Sequence, residues 1–172
     1  MVMKEIEAKV LDINPEELRG KLEDIGASKV FEESVKSDFY DFEDGRIEEN
    51  GQIRLRTIGD RSFVTRKIDV VDERAKVKEE IEFDVEDPDE VRKFLKSIGL
   101  EKIESGEKKR AKWHKNSVEY VIDWYHGIPP LLEIEAPSHQ KLEKAFEELG
   151  FSFEETVDWG SSRVHQHYGV ER

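Results

Sequence analysis

The sequence predicts an α+β fold, an eight-stranded antiparallel closed β-barrel with helices packed outside. Three observations lead there. The tripeptide Glu-Ile-Glu occurs at Glu5-Ile6-Glu7, Glu80-Ile81-Glu82 and Glu133-Ile134-Glu135, and each copy is followed by a helical stretch ending in Ile-Gly or Leu-Gly. Most of the remaining chain is short alternating segments joined by tight turns, the pattern of antiparallel strands. The helices carry apolar stripes that must cover the hydrophobic side of a sheet. If the sheet closes with helices outside, its charged side becomes the inside.

The first copy lies in an alternating strand, Val2 to Leu11. Asn14-Pro15 then supplies an N-cap and a first-turn proline. Leu18, Leu22 and Ile25 form one apolar stripe, and Gly26 ends the helix. The second copy repeats this grammar, with strand Val77 to Val85, cap Asp87 before Pro88, stripe Val91, Leu95 and Ile98, and stop at Gly99. The third has strand Leu131 to Ala136, Pro137-Ser138, stripe Leu142, Phe146 and Leu149, and stop at Gly150. Between them, Lys29 to Phe42 reads as one long or bent strand. Gln52 to Ile58 and Arg61 to Ile68 form a hairpin across Gly59-Asp60, and Glu101 to His114 and Ser117 to Tyr125 form another across Lys115-Asn116. The acidic stretch Glu43 to Gly51 reads as an exposed loop.

Composition narrows the function. A chain of 172 residues with no linker rich in Pro, Gly or Ser suits one domain, 1–172. A net charge of −13 argues against a nucleic acid duplex as partner. With no cysteine there is neither a disulfide framework nor a thiolate metal site. No apolar run approaches membrane-spanning length, and Met1 to Glu5 is no signal peptide, so the expected location is cytoplasmic. The aromatics Phe39, Tyr40 and Phe42 would suit either a homodimer contact or core packing.

Parity along the strands collects the charges. Seven acids (Glu5, Glu7, Glu80, Glu82, Asp123, Glu133, Glu135) and eight bases (Lys9, Arg54, Arg56, Lys67, Lys78, Lys108, Arg110, Lys112) fall opposite the apolar side chains. A charged sheet face ordinarily meets water. Near balance within a strongly acidic protein instead suits a partly enclosed site, because unpaired buried charge is costly. Clustered carboxylates bind hard cations such as Mg²⁺ or Mn²⁺, and clustered Arg and Lys bind phosphoryl oxygens. The ligand that uses both is a metal-complexed polyphosphate. Glu80 and Glu82, adjacent to bases, read as their counter-charges rather than as metal ligands. The five histidines show no spacing that ties them to the carboxylates.

Glu5-Ile6-Glu7-Ala8-Lys9 resembles the Glu-x-Glu-x-Lys signature of the CYTH superfamily, the triphosphate tunnel metalloenzymes. Other motifs follow in the family's order. Ile53-Arg54-Leu55-Arg56 is similar to its Leu-Arg-Leu-Arg strand, Val64-Thr65-Arg66-Lys67 to its Leu-Thr-x-Lys strand, and Lys78-Glu79-Glu80-Ile81-Glu82 to its basic-x-Glu-x-Glu strand. Lys108-Lys109-Arg110, Ile122-Asp123 and Glu133-Ile134-Glu135 resemble the later ones. Lys78 stands where many members carry Arg, and Ser161-Ser162 departs from a frequent Ser-Tyr.

The resemblance implies roles. Glu5, Glu7, Asp123, Glu133 and Glu135 would hold one or two Mg²⁺ or Mn²⁺ ions. Lys9, Arg54, Arg56, Lys67, Lys78, Lys108 and Arg110 would clamp a triphosphate, with Lys9, Asp123 and Glu133 nearest the chemistry. Motif spacing resembles the class IV adenylate cyclase-like branch, which implies conversion of ATP to cyclic AMP and pyrophosphate. Hydrolysis of tripolyphosphate or thiamine triphosphate, and non-catalytic polyphosphate or nucleotide binding, stay open.

Overall fold

The computed structural model describes residues 3–70 and 76–171, with side chains from Ile6 to Val70 and from Glu79 to Glu171. The chain is α+β, with eight antiparallel strands and, among the described residues, four helices. The strands are β1 (Met3–Val10), β2 (Ser28–Asp41), β3 (Gly51–Ile58), β4 (Arg61–Val70), β5 (Lys76–Val85), β6 (Glu101–Lys115), β7 (Val118–Trp124) and β8 (Leu131–Ala136). The helices are α1 (Pro15–Asp24), α2 (Pro88–Ser97), α3 (His139–Glu148) and α4 (Ser161–Tyr168). No helix among the described residues is long and apolar enough to cross a membrane.

The three recurring strand–helix units form as their sequence requires. Asn14 and Asp87 each accept backbone N–H bonds from the first turn of the helix they cap, with proline at its start. Ser138 caps α3 by accepting from Lys141 N–H. Gly26, Gly99 and Gly150 take φ of 76°, 90° and 80°, the left-handed stop that residues with a Cβ disfavour.

The described chain divides into two compact units. The first holds 34–70 and 78–107, and is built on an antiparallel ladder. Val35 to Tyr40 of β2 pairs with Ile53 to Ile58 of β3, and β3 pairs along its length with β4. Its core gathers Tyr40, Leu55, Val64, Leu95 and Leu100, so α2 covers the apolar side of these strands. The expected exposed loop after β2 is more ordered than its composition suggests. Asp41 is buried, and its carboxylate accepts N–H bonds from Phe42, Ile47 and Glu48 at 2.6, 2.9 and 2.8 Å. One side chain thereby replaces the hydrogen bonds that a turn would otherwise lack.

The second unit holds 5–33, 71–77 and 108–172, of which 71–75 and 172 lie outside the described residues. β6 pairs with β7, β7 with β8, and β8 with β1. Register aligns Trp113, Tyr120, Ile134 and Ala8 in one row, and Ala111, Ile122, Leu132 and Val10 in the next. All eight are buried, and α3 packs on β7 and β8. Lys9 exchanges two backbone hydrogen bonds with Val157, at 2.9 and 2.8 Å. Glu32 binds α1, β2 and β6 together: Arg19 makes two bonds of 2.8 Å to it, and Lys29 and Lys109 approach at 2.6 and 2.7 Å. The Arg19 guanidinium also lies 5.6 Å from the ring centres of Trp113 and Trp124.

The two ladders account for seven strands, and do not by themselves join into the closed barrel expected from the sequence. α4 was not anticipated. It is short, starts at Gly160 without a side-chain cap, and has too few apolar positions to show a helical period.

Candidate functional site

In the second unit, strand register delivers the charges in pairs. Lys9 lies opposite Glu133, Glu7 opposite Glu135, and Arg110 opposite Asp123. Lys9 Nζ sits 2.7 Å from Glu133 Oε2 and 3.5 Å from Glu7 Oε1. Arg110 donates from Nε and Nη2 to the two oxygens of Asp123 at 2.7 and 2.6 Å, and from Nη2 to Glu133 Oε1 at 3.0 Å. Lys108 Nζ donates to Asp123 Oδ2 at 2.7 Å and to the Tyr125 phenol oxygen at 3.0 Å. Glu7, Lys9, Arg110, Asp123 and Glu133 are all buried.

Such enclosure would neutralise isolated charges, yet here their partners outweigh it. Burial works against the charged Lys9 ammonium, but Glu133 and Glu7 outweigh it and hold the pKa above the ordinary lysine value. Burial likewise pushes Glu133 upward, while Lys9, Arg110 and Lys108 bring it well below the usual carboxylate range. Asp123 is lowered in the same way, against burial, by Arg110 and Lys108. The Tyr125 phenol is raised, chiefly by burial. The cluster is therefore ionised and internally compensated at neutral pH.

One carboxylate oxygen from each of Glu7, Glu133 and Glu135 lies within 4.8 Å of the others. Three oxygens converging at that spacing fit a hard cation such as Mg²⁺ or Mn²⁺ with modest side-chain adjustment. Asp123 is not in this trio among the described residues; its oxygens accept from Arg110 and Lys108, as those of Glu133 meet Arg110 and Lys9. The side chain of Glu5 lies outside the described residues.

The first unit carries a separate charged cluster. Lys67 Nζ is 2.5 Å from Glu80 Oε2, and both side chains are buried. Glu82 Oε2 accepts from Arg56 Nη2 at 2.8 Å and from the Thr65 hydroxyl at 2.7 Å. Arg54 lies opposite Thr65 in register. Arg56 Nε is buried with no hydrogen-bond partner among the described residues. Phe63, which interrupts the polar pattern of β4, lies beneath the guanidinium groups of Arg56 and Arg61, 5.7 and 4.9 Å from its ring centre. The side chain of Lys78 lies outside the described residues. Lys112 binds Glu119 at 2.6 Å instead of joining the buried cations.

Sequence reasoning missed two participants. Thr65 is fully buried and supports Glu82, a role its place in the Thr-x-Lys motif could have suggested. Tyr125 continues the parity of Asp123 past the end of β7, and this was the available signal.

Ordered acid–base pairs along antiparallel strands mark the class of this protein. The chain belongs to the CYTH family, whose CYTH domain model matches residues 3–158. A protein of Methanocaldococcus jannaschii, provisionally named an adenylate cyclase, is 31% identical over 137 residues, covering 78% of this chain and 77% of the other. A solved structure from Vibrio parahaemolyticus, also provisionally described as an adenylate cyclase, shares the fold with a TM-score of 0.82 at 15% identity, covering 96% of this chain and 99% of that one. A Hippeastrum protein, described as an adenylyl cyclase candidate with a dominant triphosphatase activity, has a TM-score of 0.64 at 14% identity, covering 100% and 98%.

Proposed function

We propose that this chain is a divalent-metal-dependent enzyme that binds a triphosphate and acts on it in the manner of a class IV adenylate cyclase, converting ATP to cyclic AMP and pyrophosphate. The observation that carries the reading is the convergence of Glu7, Glu133 and Glu135 beside the buried cations Lys9 and Arg110. A carboxylate trio supplies a cation site, and the cations supply an anion site. Family membership and the name of the M. jannaschii relative support the cyclase form.

Glu7, Glu133 and Glu135 would hold Mg²⁺ or Mn²⁺. The metal would neutralise charge on the phosphoryl oxygens. Glu133 is shared, since its oxygens also meet Lys9 and Arg110, so those cations fix its orientation. Asp123 orients Arg110 and Lys108 toward the anion rather than contacting it. Arg56 Nε is a donor for a phosphoryl oxygen, with Nη2 anchored on Glu82. Glu80 and Glu82 then serve as counter-charges that hold Lys67 and Arg56 in place. In this reading 1–172 is one cytoplasmic domain whose strands close into the tunnel expected from the sequence.

A second reading, triphosphate hydrolysis, is favoured by the activity described for the Hippeastrum structure. The test is to supply ATP, tripolyphosphate and thiamine triphosphate with Mg²⁺ and with Mn²⁺ and identify the products. Cyclic AMP with pyrophosphate supports the cyclase. Orthophosphate from tripolyphosphate, without cyclic AMP from ATP, replaces it with the hydrolase.

A further inference from the structure

We propose that Tyr125 is a positioning residue that sets the Lys108 ammonium in the site, and that α4 holds Tyr125 in place through His165. The proposal rests on the triphosphate reading for its kinetic consequence, but its structural part stands on its own contacts.

Lys108 differs from the other cations of its unit. Lys9 is committed to Glu133 and Glu7, and Arg110 to Asp123 and Glu133, and both are buried. The Lys108 side chain keeps 18% of its exposure. Its ammonium has three donors. Among the described residues, one goes to Asp123 and one to Tyr125, which leaves the third for a bound anion.

The Tyr125 contact decides where that donor points. A lysine on a single carboxylate can swing about it, because its stem is flexible. A second acceptor 3.0 Å away fixes the head group. Tyr125 lies just beyond the end of β7, so the strand ladder does not hold it. It packs instead against Ile128, Leu131 and Val164, the last on α4. The His165 ring meets it edge-on at 4.9 Å between centres. His165 is buried, and its Nδ1 lies 2.8 Å from the Ser161 carbonyl oxygen one turn back, which fixes the imidazole. Contacts thus run from α4 through His165 and Tyr125 to Lys108 and Asp123.

The experiment is a double-mutant cycle of Tyr125→Phe with Lys108→Met, and a parallel one of His165→Leu with Lys108→Met, on the full chain. Tripolyphosphate with Mn²⁺ is the probe, and its affinity and kcat/KM are measured. Tyr125→Phe keeps the ring and removes one bond to a charged group, so the expected loss is roughly tenfold. In the Lys108→Met background both substitutions should change the readout by less than about twofold, since the group they position is gone. Equal losses in both backgrounds would show a merely structural role and overturn the proposal, as would no loss in either. A direct readout separates this from the triphosphate reading. The Lys108 ammonium resonance, assigned by its absence in Lys108→Met, should shift in Tyr125→Phe and in His165→Leu even if no turnover is found. An unmoved resonance sinks the positioning role, whatever the reaction.

Discussion

Asp123→Ala and Asp84→Ala remove two carboxylates of similar pairing distance and opposite surroundings. Asp123 is fully buried and receives three charge-assisted bonds, at 2.7 and 2.6 Å from Arg110 and 2.7 Å from Lys108. Without it, the buried Arg110 guanidinium keeps only the 3.0 Å contact to Glu133 among its described ion pairs. Removing one partner of a buried pair costs about 3–5 kcal/mol, because the charge left behind has lost its compensation. In a domain of this size each kcal/mol moves Tm by roughly 2–4 °C, so the expected fall is roughly 6–20 °C. Asp84 is paired with Arg61 at 2.8 Å, but the two side chains are 73% and 70% exposed. Its removal should cost at most about 1 kcal/mol, since water screens the pair and solvates what remains. Urea unfolding of both variants checks the contrast. Asp123→Leu with Arg110→Met should recover much of the loss, because the double variant buries no unpaired charge in that pair. If Asp123→Ala costs no more than Asp84→Ala, burial is not what gives the Asp123 pairing its strength, and the reasoning fails.

Four further outcomes are expected. Glu135→Gln should weaken Mn²⁺ binding by roughly tenfold or more in calorimetry, because the oxygen trio loses a charged ligand. Arg56→Ala should lower tripolyphosphate affinity by roughly 10- to 100-fold at constant ionic strength, the range for a hydrogen bond to a charged group. The third concerns acid stability. Arg19, then Lys109 and Lys29, hold Glu32 well below its ordinary pKa of 4.5. A depressed carboxylate contributes stability that is present above the ordinary value and lost as pH falls from there toward the folded value. Urea midpoints should therefore fall less in Glu32→Gln than in the parent as pH drops from about 5 to about 2. Finally, Gly51→Ala should destabilise by more than about 2 kcal/mol, since φ there is 142° and a Cβ would collide with the Lys67 carbonyl; thermal unfolding measures it.

Much of this was legible because period-two alternation is a local property. The Glu-Ile-Glu strands, their Asn14 and Asp87 caps and their glycine stops each depend on a few adjacent residues, and all formed where expected. Parity also assigned Lys9, Arg110 and Glu133 to one face. Parity cannot say which charges meet, because that depends on register between strands distant in sequence. Hence the bonds of Asp123 to Arg110 and Lys108 could not be read from the sequence. Lys112 was grouped with the inner bases and is found on Glu119. Asp41 was invisible for a related reason. A carboxylate that caps a loop with three backbone bonds looks, in sequence, like one more acid in an acidic stretch. α4 has too few apolar positions to show a period, and its buried anchor is a histidine.

The backbone bridge between Lys9 and Val157 bears on how the chain is made. β1 is made before β8 and Val157, which pair with it from much further along the sequence. The β2–β3–β4 ladder joins neighbours in sequence and can close early. Loop closure over so long a separation is slow compared with hairpin formation. The pairing of β1, which bears Glu7 and Lys9, with β8 must therefore wait until β8 is made. Its charged face keeps that wait soluble, so the residues that equip the site also guard the nascent chain against aggregation.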